Sequence, residues 1–184
     1  YHDIGKLAHP EYFTENQYND HNPLLDMDAK DAAQVVISHV TDGVKIAQLH
    51  RLPSVIIKFI ETHHGTSLTR YFYNTYVNQH PDEQVDKQLF QYPGPRPTSR
   101  EGAILMMADV VEACSRSLSN YTEESISKMV DTMLDGMVHD GQFAETPLSF
   151  KDVEDIRKVF KERLISINHH RLQYPKIENA KEEK

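Results

Sequence analysis

The run DAKDAAQVVISHVTDGVKIAQLH, from Asp28 to His50, decides the fold class. Its apolar residues Ala32, Ala33, Val36, Val40, Ile46 and Ala47 fall on one stripe when the chain is wound at 3.6 residues per turn. No proline interrupts the run, and alternating apolar residues are scarce, so it predicts one long amphipathic helix. His39 lies on the same stripe. An imidazole there is either a hydrogen-bonded core residue or a ligand held where the helix faces the interior.

Working outward, the same period recurs and strand signals do not. After the long helix, Pro53 suits a first helical turn, Val55, Ile56, Phe59 and Ile60 supply the apolar face, and Gly65 suits a C′ position. Thr69 to His80, rich in tyrosine, predicts a short helix that Pro81 ends. Tyr92-Pro93-Gly94-Pro95-Arg96-Pro97 is excluded from a helix interior, since three prolines fix φ and remove donors; it predicts a stiff surface loop. Ser99 is a candidate cap for a helix to about Leu118, and Thr122, with Ser125 three residues on, starts another to about Val138. Asp140-Gly141 marks a turn, and Ser149 to about Ile167 predicts a last helix. Met106, Met107, Met129 and Met133 recur at helical spacing and are assigned to the core. On the N-terminal side, Pro10 to Pro23 reads as a polar loop, and His2 to Leu7 as the tail of a helix.

Composition narrows the function. The chain has 184 residues, 39% of them hydrophobic and 26% charged, which suits one domain with a real core. A net charge of −8 argues against a broad footprint on a nucleic-acid polymer. Cys114 is the single cysteine, so there is no disulfide framework, and a reducing compartment is expected. No apolar run approaches the roughly 18 residues of a membrane span. The chain opens at Tyr1 without methionine and is expected to be part of something longer. Eleven histidines exceed what packing requires.

Four of these histidines join two aspartates in a pattern: His2-Asp3, then His39, then His63-His64 near a helix end, then Asp109 within Ala103-Ile104-Leu105-Met106-Met107-Ala108-Asp109-Val110-Val111. A carboxylate in so apolar a stretch is costly to bury without a cation. Imidazole and carboxylate donors without thiolate suit Mn²⁺, Fe or Zn²⁺. On a helix His2 and Asp3 point about 100° apart, and both can face a wide metal cluster. The order HD, H, HH, D resembles the HD-domain phosphohydrolase superfamily. More narrowly it is similar to the cytosolic HD domain of seven-transmembrane receptors with an intracellular HD hydrolase, the PgpH-type cyclic di-AMP phosphodiesterases. Supporting stretches are His2 to Lys6, His9-Pro10 through Gln17, His39-Val40 with Asp42-Gly43, Phe59 to Thr66 with Tyr71-Phe72-Tyr73, Tyr92 to Pro95, Glu101 to Asp109, Asp140 to Phe143, and Arg171 to Pro175. Two departures stand out. The family's further metal-ligating histidine, on a helix before the HD box, lies outside this sequence, and Asn22-Pro23 is followed by Leu24 where the family usually has histidine.

The resemblance implies an all-α, HD-domain helical bundle over residues 1–174, with a charged tail over 175–184. It implies a metal-dependent phosphodiesterase that opens cyclic di-AMP to 5′-pApA, using two divalent ions, Mn or Fe. One ion takes His2, Asp3, Asp109 and the upstream histidine; the other takes Asp3, His39, His63 and His64, with Asp3 bridging. Two ions roughly 3.5–4 Å apart clamp a phosphodiester and activate water, so no protein nucleophile is needed. Lys6, one turn from Asp3, is the first candidate for phosphate charge; Arg116, about 10 Å along the helix from Asp109, is a second, with an i,i+4 pair to Glu112 as its competing role. Tyr71 and Tyr73 are candidates to stack on a base, or core residues, and Asn16 and Gln17 are candidates for base edges. The expected partner is a cyclic dinucleotide, not a nucleic-acid polymer. The expected setting is the cytoplasmic domain of a membrane-anchored parent, with no membrane contact by this stretch. His50, His80 and His139 are read as surface or structural. Competing classes are a hydrolase of another nucleotide, a di-iron oxygenase, and a metal-binding sensor module without activity.

Overall fold

The structure, a computed structural model, describes residues 1–13 and 22–169. Among the described residues six α-helices carry the fold: α1 (Ala29–Leu49), α2 (Ser54–Thr62), α3 (Arg70–Gln79), α4 (Arg100–Ser115), α5 (Glu123–His139) and α6 (Phe150–His169). Short 3₁₀ turns cover Ile4–Ala8, Pro10–Tyr12, Pro23–Leu25 and Lys87–Phe90. Among the described residues there is no strand, only an isolated antiparallel bridge between Leu68 and Gln91. The fold is therefore all-α, as the helical period implied. Among the described residues no helix is long and apolar enough to cross a membrane. The charged tail expected over 175–184, the stretch from Arg171 to Pro175, and Asn16 and Gln17 lie outside the described residues.

The helix starts follow local chemistry. Asp28 accepts a hydrogen bond from the Lys30 amide at 2.9 Å, and Ser99 Oγ accepts one from Gly102. Thr122 and Ser125 form a reciprocal capping box at the start of α5. Thr122→Ala removes that acceptor and is expected to cost about 1 kcal/mol. Denaturant unfolding measures this as a lower midpoint at unchanged slope.

Two apolar regions flank the site. One is built by α4, α5 and α6, with Met106, Met107, Ile126, Val130 and Leu134 at its centre and Met129 and Met133 packed against it. Arg157 ties α6 to α5 outside this core, reaching Asp131 at 2.8 Å and Asp135 at 2.6 Å. The other region lies on α1, where Ile37 and Val40 meet Tyr92. α1 packs on the Ile4–Ala8 turn, α2 and α3, while α2 also contacts α4. The inward stripe of α1 includes the small residues Ala32, Ala33, Gly43 and Ala47, all buried. These let other backbones come close.

Some expectations need correction. The opening residues form a 3₁₀ turn rather than the tail of an α-helix: Ile4 N–H donates to Tyr1 C=O and Lys6 N–H to Asp3 C=O, both at 3.0 Å, and Asp3 is the cap. His2 and Asp3 accordingly precede the turn and do not share a helix. The Tyr92–Pro97 stretch is not a surface loop at both ends, since Tyr92 and Pro97 are buried. Tyr92 N–H donates to Ser67 C=O at 2.9 Å, and that bond lays the stiff segment against the residues after α2. α4 stops at Ser115, with Arg116 as its cap. Gly65 lies two residues past the cap of α2 at His63 and takes a positive φ of 50°, which glycine adopts without strain.

Candidate metal centre

The centre forms where the Ile4–Ala8 turn and the end of α2 meet α1, with α4 packed on α2. The Ile4–Ala8 turn sits so close to α1 that a Cβ on Gly5 would lie 1.8 Å from the His39 carbonyl oxygen and 2.5 Å from the Gly43 amide nitrogen. Gly43 in turn allows Ile60 of α2 to approach. These contacts bring Asp3, His39 and the end of α2 together, although 24 residues separate His39 from His63 along the chain.

His39 and His63 are held alike. Nδ1 of His39 faces the Val36 carbonyl at 2.5 Å, and Nδ1 of His63 faces the Ile60 carbonyl at 2.8 Å. A carbonyl only accepts, so these bonds assign the ring proton to Nδ1 and turn each Nε2 lone pair inward. The two Nε2 atoms lie 3.1 Å apart, and Asp3 Oδ1 is 3.4 Å from the first and 3.5 Å from the second. Three acceptors this close repel one another unless a cation lies among them. Their spacing matches the polyhedron edges of an ion bound at about 2.1 Å, which are about 3.0 Å for octahedral and about 3.4 Å for tetrahedral geometry. The residues present fit a divalent metal.

Asp3 faces two ways. While Oδ1 meets His39 and His63, Oδ2 lies 3.4 Å from His2 Nε2 and 2.9 Å from Lys6 Nζ. His2 Nε2 is also 3.5 Å from Asp109 Oδ1, and His64 Nδ1 is 3.8 Å from Asp109 Oδ2. Two donor groups result, Asp3 with His39, His63 and His64, and His2 with Asp3 and Asp109, each with its ligand atoms within 4.8 Å of one another. Asp3 belongs to both.

Electrostatics follow from this packing. Burial opposes ionisation of Asp3, yet the hydrogen bonds of its neighbours, His2 first and Lys6 among them, hold its pKa far below the usual carboxylate range. Hydrogen bonds to Asp109 and Asp3 raise His2 to about 9, so in the metal-free protein an imidazolium stands between the two carboxylates, and a metal must displace its proton. Burial pushes the pKa of His64 well below its ordinary value and keeps the ring neutral. Adding Mn²⁺ at a hundredfold excess over its Kd is expected to stabilise the protein by about 2.7 kcal/mol, or roughly 5–10 °C in Tm. Calorimetry before and after EDTA checks this.

Other sequence candidates lie elsewhere or are already engaged. Arg116 pairs with Glu112 through two hydrogen bonds of 2.9 and 2.7 Å. Tyr71 is exposed with its ring against Phe72, and Tyr73 packs on Phe90 with Lys87 over its face. His80 stacks on Tyr76, and His50 and His139 are exposed. The half-buried Cys114 thiol lies 3.2 Å from Met133 Sδ, and burial raises its pKa, so it offers no nucleophile.

Tyr92 escaped the sequence reading. Its ring stacks on His64 with centroids 4.2 Å apart at 21°, and meets His39 edge-on. Burial, then the charges of Asp109 and Asp3, raise its pKa and keep it a neutral phenol. Its position just ahead of a rigid Pro-Gly-Pro segment was the available signal, but a ring's burial depends on what the segment is laid against.

Comparison with known proteins gives the family and the fold. The HD domain family matches residues 1–114. The cyclic-di-AMP phosphodiesterase PgpH of Bacillus subtilis is 40% identical over 95% of this chain, and that of Listeria monocytogenes is 36% identical over 95%. The chain spans about a quarter of these relatives, 24% of each. The crystal structure of the L. monocytogenes PgpH HD domain in complex with cyclic di-AMP superposes with a TM-score of 0.86 at 35% identity, covering 91% of this chain and 77% of that one. A second crystal structure of the L. monocytogenes PgpH HD domain gives 0.85 at 34% identity, covering 92% and 78%.

Proposed function

The chain belongs to the HD-domain family, and from that membership we propose that it is a metal-dependent phosphodiesterase domain that hydrolyses cyclic di-AMP to 5′-pApA. One observation carries the reading: Oδ1 of Asp3 faces His39 and His63 while Oδ2 faces His2, an arrangement that would let this carboxylate serve two ions. Asp3, His39, His63 and His64 would hold one ion, and His2, Asp3 and Asp109 the other, with Mn or Fe favoured by the donor set. Bound there, the ions supply Lewis acidity toward a phosphodiester and a nucleophile from water.

The chain's own residues do the rest. Val36 and Ile60 carbonyls orient His39 and His63, and stacked Tyr92 holds the plane of His64. Lys6 keeps a positive charge beside Asp3 Oδ2, where it offsets the charge of an incoming phosphate. The adenine preference is supported by the similarity to PgpH proteins. A domain over residues 1–174, placed in the cytoplasm by a membrane-anchored parent, is the setting we propose, consistent with the chain's spanning a quarter of those relatives.

The test is elemental analysis of the purified protein together with steady-state turnover of cyclic di-AMP, cyclic di-GMP and deoxynucleoside triphosphates in Mn²⁺. The expected result is two ions per chain and preferential cleavage of cyclic di-AMP to 5′-pApA. Preference for cyclic di-GMP sinks the substrate assignment, and binding of metal without hydrolysis favours a sensor module.

A further inference from the structure

Two residues beyond His64, the chain enters a second polar pocket of about 300 Å³, apart from the metal ligands. Three cations line it, Arg70, Lys87 and Arg96, against the single carboxylate of Asp140. That surplus is local, because the whole chain carries −8.

Arg96 is the built part of this pocket. It is half-buried, and its Nε donates to Thr66 Oγ1 at 3.1 Å. Thr66 is fixed in turn: its amide and hydroxyl both donate to Oε1 of the buried Gln142, at 3.0 and 3.3 Å, and its carbonyl accepts from Gln91 Nε2 at 2.6 Å. Gly141, at a positive φ of 67°, turns the chain beside the guanidinium, its Cβ direction reaching Arg96 Nη1 at an ordinary contact distance of 3.8 Å. The pocket's carboxylate is already spent on Arg70, 2.6 Å away. Among the described residues no carboxylate forms an ion pair with Arg96 or Lys87; Lys87 instead stands over the Tyr73 ring.

A guanidinium oriented by a buried relay, a lysine nearby and no paired anion make a site for an oxyanion with several acceptor oxygens. We infer that Arg96 and Lys87, supported by Arg70, form a phosphate-binding subsite distinct from the metal centre. The phosphate is either the second one of a dinucleotide held at that centre or one carried by a separate molecule.

Inorganic phosphate is the probe. It is titrated into the Zn²⁺-loaded protein and into its Asp3→Asn variant, and backbone amide NMR shifts of Thr66, Gln91 and Gly141 are followed. Saturable shifts at these amides are expected in both proteins. Arg96→Gln and Lys87→Gln are each expected to weaken them about tenfold or more. Lys87 is exposed, so its variant reports on charge even where Arg96→Gln disturbs Thr66. Shifts confined to the surroundings of Asp3 and His63, or affinity unchanged in both variants, overturn the subsite.

A kinetic arm identifies the source of the phosphate and rests on the proposed cyclic di-AMP hydrolysis. A KM raised about tenfold at unchanged kcat in Arg96→Gln marks the substrate's own second phosphate. An unchanged KM beside lost phosphate binding marks a separate ligand. Either result supports the site, and a failure of turnover itself strikes only the functional reading, leaving the NMR result to stand.

Discussion

Asp3→Ala is expected to lower cyclic di-AMP hydrolysis by about three orders of magnitude or more and to strip metal from both donor groups. Loss of an outer-shell partner alone typically costs about 10- to 100-fold in metal affinity or activity. Asp3 belongs to both donor groups and is the shared inner ligand of the proposed site, so its removal is expected to act on both groups at once. It also leaves the Nε2 lone pairs of His39 and His63 facing each other at 3.1 Å without the carboxylate that attracts a cation between them. His2 loses one of its two acidic neighbours as well. Metal content by elemental analysis and single-turnover rates measure the two effects separately. Asp3→Asn controls for folding by keeping the size of the side chain. Full metal content and activity in Asp3→Ala would refute a shared ligand.

Gly5→Ala and Gly136→Ala make the same chemical change and should move stability in opposite directions. A Cβ on Gly5 would collide with the backbone of α1 at His39 and Gly43, where no side-chain rotation gives relief. The turn must lift away, so the cost is expected at or beyond the upper end of the about 1–3 kcal/mol typical of overpacking. Because the turn carries His2 and Asp3, metal affinity should fall with it. A Cβ on Gly136, inside α5, meets nothing within 4 Å, and alanine there should stabilise by about 0.5–1 kcal/mol. Thermal unfolding with and without Mn²⁺ reads both. A Gly5→Ala protein with unchanged Tm and metal affinity would show that the turn does not need this close approach.

The helices were legible because their signals are local. The apolar stripe of α1, the prolines and glycines between elements, and the caps at Asp28, Ser99 and Thr122 all act within a few residues. The candidate donors were legible too, and His2, Asp3, His39, His63, His64 and Asp109, far apart in the sequence, gather into two groups that could hold a metal ion. Less legible was the form of the opening segment. Over five residues a 3₁₀ turn and a helix tail leave nearly the same pattern in the sequence, and the segment packs as a 3₁₀ turn with Gly5 lying against α1.

What no local pattern contains is distance. The orientation of each Nε2 depends on a carbonyl three residues back, but the convergence of two of them on one oxygen of Asp3 depends on three segments packing at once. Tyr92 and Arg96 come from one proline-rich stretch that sequence patterning assigns to the surface. Folding buries the first against His64 and fastens the second to Thr66. Residue chemistry and periodicity are properties of neighbours along the chain, so the class of fold and the kind of metal donors follow from them. The shared carboxylate position, the stacked tyrosine and the cationic pocket are properties of neighbours in space: Gly5 lying against α1 brings Asp3 to His39, and the pocket residues converge from segments as far apart as Thr66 and Gln142.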